Sequence, residues 1–198
     1  MNFLAHLYLS REDDQLMIGN FIADSVKGGS FKDYEPGIAK GIVLHRAIDE
    51  FTDNHPVFLE SVRRLRPRYR KYSGVIIDIF YDHFLARDWR DHSPESLHDF
   101  TGRVHELLVS KREVMPVRSR QFLQYMIANN IPLPYAEVSG IHKVLTGMSH
   151  RARFESRMEH AVTELVKYEA DFAREFREFF PEVIRFTEEW KRKFKGLS

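Results

Sequence analysis

Three short segments combine residue types that can hold a cation or move a proton. The first is His45-Arg46-Ala47-Ile48-Asp49-Glu50-Phe51-Thr52-Asp53. On a helix, residues four apart share a face, so His45 and Asp49 lie one above the other and Asp53 continues the row. An imidazole and a carboxylate at this spacing can meet one cation; the plainer alternative is a solvated ion pair. The second is Val75-Ile76-Ile77-Asp78-Ile79-Phe80-Tyr81-Asp82-His83-Phe84-Leu85, apolar nearly all round and so predicted to be a buried helix. Asp78 and Asp82 share one stripe of it. Buried carboxylates are costly unless paired or bound to metal, which makes a shared cation, or an arginine such as Arg46, the expected partner. The third is Gly19-Asn20-Phe21-Ile22-Ala23-Asp24, where Asn20 and Asp24 repeat the spacing of four and Gly19 allows close helix packing. Asn20 and Asp24 could equally satisfy buried backbone groups or end the helix. His6 stands alone in an apolar stretch, a setting more common for a core histidine than for a ligand.

Together these segments offer oxygen donors and a few imidazoles. That mixture suits Mn²⁺, Fe²⁺ or Mg²⁺ better than a structural zinc site. The chain has no cysteine, which removes disulfides, thiol nucleophiles and thiolate-zinc sites. A bound metal can acidify water and polarise a phosphoryl group, so the pattern suggests a metal-dependent hydrolase. A fourth feature is the run Arg63-Arg64-Leu65-Arg66-Pro67-Arg68-Tyr69-Arg70-Lys71, six basic residues without an acid. It could bind an acidic partner or phosphate groups, or be a solvated helix face. The phosphate-binding P-loop, the Rossmann glycine fingerprint, His-Glu-x-x-His and Gly-x-Ser-x-Gly are all absent.

The elements that must position these residues read as helices throughout. With 198 residues, 43% hydrophobic and 30% charged, and a net charge of +1, the chain is sized for one soluble domain over 1–198. A first helix is predicted after the capping run Asp13-Asp14, stopped by Gly28-Gly29-Ser30. A second starts near Pro36 and ends before Pro56. A helical pattern from Val57 to about Trp89 should break or kink at Pro67. Ser93-Pro94-Glu95 opens another, and more are predicted at about 116–129, 137–148, 152–178 and 181–195. The expectation is an all-α fold of about eight helices. No stretch approaches the roughly 20 apolar residues of a membrane span, and the apolar start makes a poor signal peptide, so the cytoplasm is the default location.

The ordered set Asn2-Phe3-Leu4-Ala5-His6-Leu7, Gly19-Asn20-x-x-x-Asp24, His45-Arg46-x-Ile48-Asp49-x-x-Thr52-Asp53, Asp82-His83-Phe84-Leu85 and Leu145-x-Gly147-Met148 resembles the acyl carrier protein phosphodiesterases. The resemblance runs from residue 2 to about 160. It implies hydrolysis of the phosphodiester between 4'-phosphopantetheine and a serine of acyl carrier protein, dependence on Mn²⁺, and a fold related to the helical HD-type phosphohydrolases. Carried over residue by residue, it implies Asp24, His45, Asp82 and His83 as metal ligands. Asp49 and Asp78 become candidates for general base work or ligand orientation, either of them also a possible direct ligand, and Arg46 for stabilising phosphoryl charge. His6 and Asn20 would line the site, and Arg63, Arg64, Arg66, Arg68, Arg70 and Lys71 would dock the acidic carrier. Two other readings stay open from the residues alone. One is an HD-like phosphohydrolase acting on nucleotides, which predicts turnover of small phosphodiesters without a carrier. The other is a non-catalytic helical module holding RNA or an acidic protein, which predicts no bound metal.

Overall fold

The computed structural model describes residues 3–195, and among these every regular element is helical. In chain order they are α1 (Phe3–Leu9), α2 (Asp14–Ile22), α3 (Pro36–Asn54), α4 (Pro56–Tyr69), α5 (Ser73–Arg87), α6 (Leu97–Ser110), α7 (Val117–Ala128), α8 (Val138–Arg151), α9 (Val162–Lys167) and α10 (Glu169–Lys195), with short 3₁₀ turns between several of them. None is long and apolar enough to cross a membrane.

Local signals explain most boundaries. Asp13 caps α2 by accepting from the Leu16 N–H. Pro36 and Pro56 open α3 and α4 at first-turn positions, where the missing N–H costs nothing. Ser96 caps α6 through the Asp99 N–H.

Four expectations change. The apolar start, where no helix is predicted, forms α1. The break expected at Pro67 falls at Arg70, which takes a positive φ of 49°, while Pro67 stays inside α4. The carbonyl that Pro67 leaves without its helical donor belongs to Arg63, on an exposed turn, so the loss falls on the solvent side. Residues 152–157 are not helical, so the long helix predicted from 152 to 178 is divided between α9 and the start of α10. And α10 runs through Pro181 without interruption. Pro181 and Arg177 both lie on its exposed side, while Phe179, Phe180 and Val183 anchor the other side in the core.

One contiguous apolar core joins all of this, with α5 at its centre: Ile76, Ile77, Phe80, Tyr81, Phe84 and Leu85 are all fully buried. The aromatic stripe of α10 packs inward, Phe186 stacking on Phe51 of α3 and Phe179 meeting Phe58 and Tyr81.

The contact that matters most for the site is the crossing of α2 on α3. A Cβ on Gly19 would lie 2.1 Å from the Ile38 carbonyl oxygen, and one on Gly41 would lie 2.3 Å from that of Leu16. Only a pair of glycines lets the two backbones touch. The neighbours of that contact, Asn20 on α2 and His45 on α3, are thereby brought within hydrogen-bonding reach.

Candidate metal centre

Five side chains from the first three helices and the turn after α2 converge. Among the described residues, one group of histidines and acids is placed to hold a metal ion: His6 of α1, with His45 and Asp49 of α3, whose donor atoms lie within 4.8 Å of one another. The two imidazoles stack, centroids 4.0 Å apart and planes at 18°. Asp49 reaches both, with Oδ1 3.1 Å from His6 Nε2 and Oδ2 3.1 Å from His45 Nε2. Asp24, from the 3₁₀ turn Ala23–Ser25, approaches His45 Nε2 at 3.4 Å from the solvent side, its side chain 69% exposed.

Asn20 orients this group. Its amide oxygen is 2.9 Å from His45 Nδ1. An amide oxygen only accepts, so Nδ1 carries the proton and Nε2 faces the acids. The Asn20 amide nitrogen donates in turn to the His6 carbonyl (3.0 Å), and Ser10 Oγ–H donates to the same carbonyl (2.8 Å). A buried amide thus ties α1 to the imidazole on α3. Such an outer partner fixes the tautomer and ring plane of a ligating histidine.

The electrostatics follow from the geometry. Burial works against a charged His45, but the hydrogen bonds to Asp24 and Asp49 prevail and raise it to about 9. Burial, reinforced by the nearby His45 charge, lowers His6 to about 4, so His6 is neutral at pH 7. Burial alone would raise Asp49, but the two histidines hold it well below the usual carboxylate range. Asp24 is lowered chiefly by its hydrogen bond to His45. One imidazole is therefore neutral beside Asp49, and the other holds a proton against two carboxylates. A cavity of about 20 Å³, room for one water or ion, is lined by His6, Asn20, Asp24 and His45 together with Phe3, Leu7 and Phe21.

The structure puts other sequence candidates to other uses. Asp82, expected as a ligand, is fully buried, and its two oxygens accept from the Leu4 N–H (2.8 Å) and the Ala5 N–H (3.1 Å). It caps the first turn of α1, whose amides have no helical acceptors, and so sets the position of His6 rather than joining it. His83 points elsewhere on α5, its Nδ1–H donating to the Tyr135 carbonyl at 2.8 Å. A 100° step between adjacent helical residues separates the two. Arg46 donates to the Val26 and Gly28 carbonyls, both at 2.9 Å, and lies over the Phe31 ring. It fastens the loop that follows Asp24. Burial raises the pKa of Asp78, and neither it nor Arg46 lines the cavity.

The basic run divides. Arg64 forms a bidentate pair with Glu175 of α10 (2.6 and 2.7 Å), a carboxylate only 2% exposed that also accepts from Ser61. Arg68 pairs with Glu164 of α9. Arg63, Arg66, Arg70 and Lys71 remain exposed. Arg64 and Arg68 thus face α10 and α9, and no residue of the run belongs to the cluster on α1 to α3.

His6 is the member least legible in the sequence, because a lone histidine between apolar residues carries no spacing signal. Its ligand-like setting comes wholly from α1 lying across α2 and α3.

These features define a protein, helical throughout its described residues, in which two buried imidazoles and a half-buried carboxylate are grouped as the ligands of a metal ion would be. Residues 1–183 match the family described as Acyl carrier protein phosphodiesterase. Similar proteins of that name include one from Klebsiella pneumoniae (strain 342), 32% identical over 189 residues, covering 95% of this chain and 98% of the relative. Others are from Enterobacter sp. (strain 638), 33% identical with 93% and 96% covered, and from Yersinia pestis, 31% identical with 93% and 96% covered. No solved structure matches the chain. The chain belongs to the acyl carrier protein phosphodiesterase family.

Proposed function

We infer that this protein hydrolyses the phosphodiester between 4'-phosphopantetheine and a serine of acyl carrier protein, releasing the apo carrier. The observation that carries the reading is the convergence of His6, His45 and Asp49 beside the exposed Asp24 in a chain of this family. Two imidazole nitrogens and a carboxylate, with a further carboxylate at the edge, fit a divalent first-row cation; we assign Mn²⁺, with Fe²⁺ and Mg²⁺ as the nearest competitors. When bound, such an ion supplies Lewis acidity toward the phosphoryl oxygens and lowers the pKa of a water.

The chain's own groups do the rest. His6, His45 and Asp49 would hold the cation, with Asn20 keeping His45 Nε2 turned toward it. Asp24, ionised at the mouth of the cavity, receives the proton lost by the attacking water. The water oxygen bonds to phosphorus, the phosphorus–serine oxygen bond breaks, the serine oxygen takes a proton from solvent water, and Asp24 returns its proton to solvent. The products are the serine of the apo carrier and 4'-phosphopantetheine. Exposed Arg63, Arg66, Arg70 and Lys71 receive the acidic carrier, while Arg64 and Arg68 are committed to Glu175 and Glu164.

The test is intact mass spectrometry of holo acyl carrier protein incubated with the protein and Mn²⁺, beside an EDTA control and His45→Ala. Metal-dependent loss of the phosphopantetheine mass, abolished by the substitution, is the expected result. An unchanged carrier with metal bound to the protein would overturn it.

A further inference from the structure

The cavity at the cluster has an aromatic side that the hydrolytic chemistry does not use. Phe3 and Phe21 line it together with His6, Asn20, Asp24 and His45. Helix α7 packs against both of them. Phe122 stacks on Phe3 at 4.2 Å with planes at 22°, and lies 6.0 Å from Phe21. Tyr125 follows one turn along, 6.3 Å from Phe122 and 42% exposed. The wall thus runs outward from the cluster to the surface through Phe3, Phe122 and Tyr125.

Its registration to the site is fixed at one end. Ser119 Oγ of α7 donates to Ser25 Oγ at 2.8 Å, and Ser25 is the residue after Asp24. So α7 is tied both to the turn that carries Asp24 and, through Phe122, to the helix that carries His6. Phe3 and Phe122 are half-buried and Tyr125 is exposed, while Phe21 is buried. Val117, at the start of the same helix, is 60% exposed.

We propose that Phe122 and Tyr125, with Phe3 and Phe21, form the recognition wall for the uncharged pantetheine arm of the substrate, leading from the phosphate position to the surface. This rests on the reaction inferred above. Three observations favour the arm over the carrier protein as the occupant. Phe3 and Phe21 line the cavity beside the cluster, and Phe122 packs on Phe3. Its four members carry no charge, unlike the exposed Arg63, Arg66, Arg70 and Lys71, which suit an acidic protein. And the arm, with its geminal methyl groups and planar amides, has the slender apolar and flat surfaces that pack on ring faces.

The experiment is calorimetric titration of the Mn²⁺-supplemented protein with 4'-phosphopantetheine, with inorganic phosphate as the ligand lacking the arm. Wild type is expected to prefer 4'-phosphopantetheine by at least tenfold. Phe122→Ala should reduce that preference about tenfold, and Phe122→Tyr, which keeps the ring, should restore most of it. Thermal melts of both variants separate misfolding from recognition. Equal affinities for the two ligands in wild type would overturn the proposal. So would a preference untouched in folded Phe122→Ala, or a loss confined to binding of the whole holo carrier, which would assign the wall to the carrier protein. The two readings fail separately. An uncleaved carrier with Phe122-dependent binding of 4'-phosphopantetheine removes the reaction and leaves the recognition wall standing.

Discussion

Substituting Asp82 tests whether this acid belongs to the metal or to the backbone. Its oxygens accept from the Leu4 and Ala5 N–H groups, 2.8 and 3.1 Å away, inside a site with no exposure. A buried N–H left without an acceptor costs about 1–3 kcal/mol. Asp82→Ala strands both, a loss of about 2–6 kcal/mol, which is a large part of the total stability of about 5–15 kcal/mol of an ordinary domain. Asp82→Asn retains one carbonyl oxygen and should lose about 1–3 kcal/mol. Urea denaturation of both variants measures this directly. Beside it, calorimetric Mn²⁺ titration of the Asn variant should give an affinity within a few-fold of wild type, because α1 keeps an anchor two residues from His6.

The pH dependence adds an independent check. Burial pushes Asp82 up to about 7, against the pull of the two N–H donors. The folded protein then binds a proton between 3.8 and about 7 that the unfolded chain has lost, so this residue's contribution to stability is full below 3.8 and is lost as pH rises through 7. Asp82→Asn should flatten that part of the stability profile. The capping account is refuted if the Asn variant keeps wild-type stability while its Mn²⁺ affinity falls a hundredfold or more, the behaviour of a lost ligand.

Other perturbations follow from the same structure. Asn20→Leu removes the acceptor of His45 Nδ1–H and should weaken Mn²⁺ binding about 10–100-fold, read by calorimetry, with the helical circular dichroism retained. Gly19→Ala places a Cβ 2.1 Å from a backbone oxygen and should cost about 1–3 kcal/mol, whereas Gly102→Ala, with nothing within 4 Å, should be neutral or stabilise slightly; comparative melting curves decide. Arg64→Ala leaves Glu175 buried without its bidentate partner and should cost about 3–5 kcal/mol in urea, while Arg63→Glu with Arg66→Glu should leave stability within about 0.5 kcal/mol and instead raise KM for the carrier. Because His45 holds its proton up to about 9, Mn²⁺ binding at pH 7 should release about one proton, seen as a dependence of the binding enthalpy on buffer ionisation; no release would place the cation away from His45.

Much of this protein is determined locally and is therefore legible in the chain. The proline-opened starts of α3 and α4, the Asp13 cap and the burial of α5 follow from nearest-neighbour chemistry and a period of 3.6. The spacing of four that puts His45 over Asp49 is a property of one helix. Gly19 signals a close approach, but not the helix it approaches.

What the tertiary structure alone decided is which of several acids and histidines meet. Asp49 and Asp82 look alike as acids on helices with a neighbour four residues away. They differ because Asp49 faces two imidazoles while Asp82 faces the first-turn amides of α1. Arg64 and Arg63 are adjacent in the run, yet one is spent on a buried glutamate and the other reaches solvent. His6 enters the cluster only because the backbones of α2 and α3 touch at Gly19 and Gly41 and α1 is pinned across them from α5. A cation site needs donors within a few ångströms, and here those donors come from segments some forty residues apart in sequence. Helical periodicity reports the face on which a side chain lies, and only the packing of helices reports what that face meets.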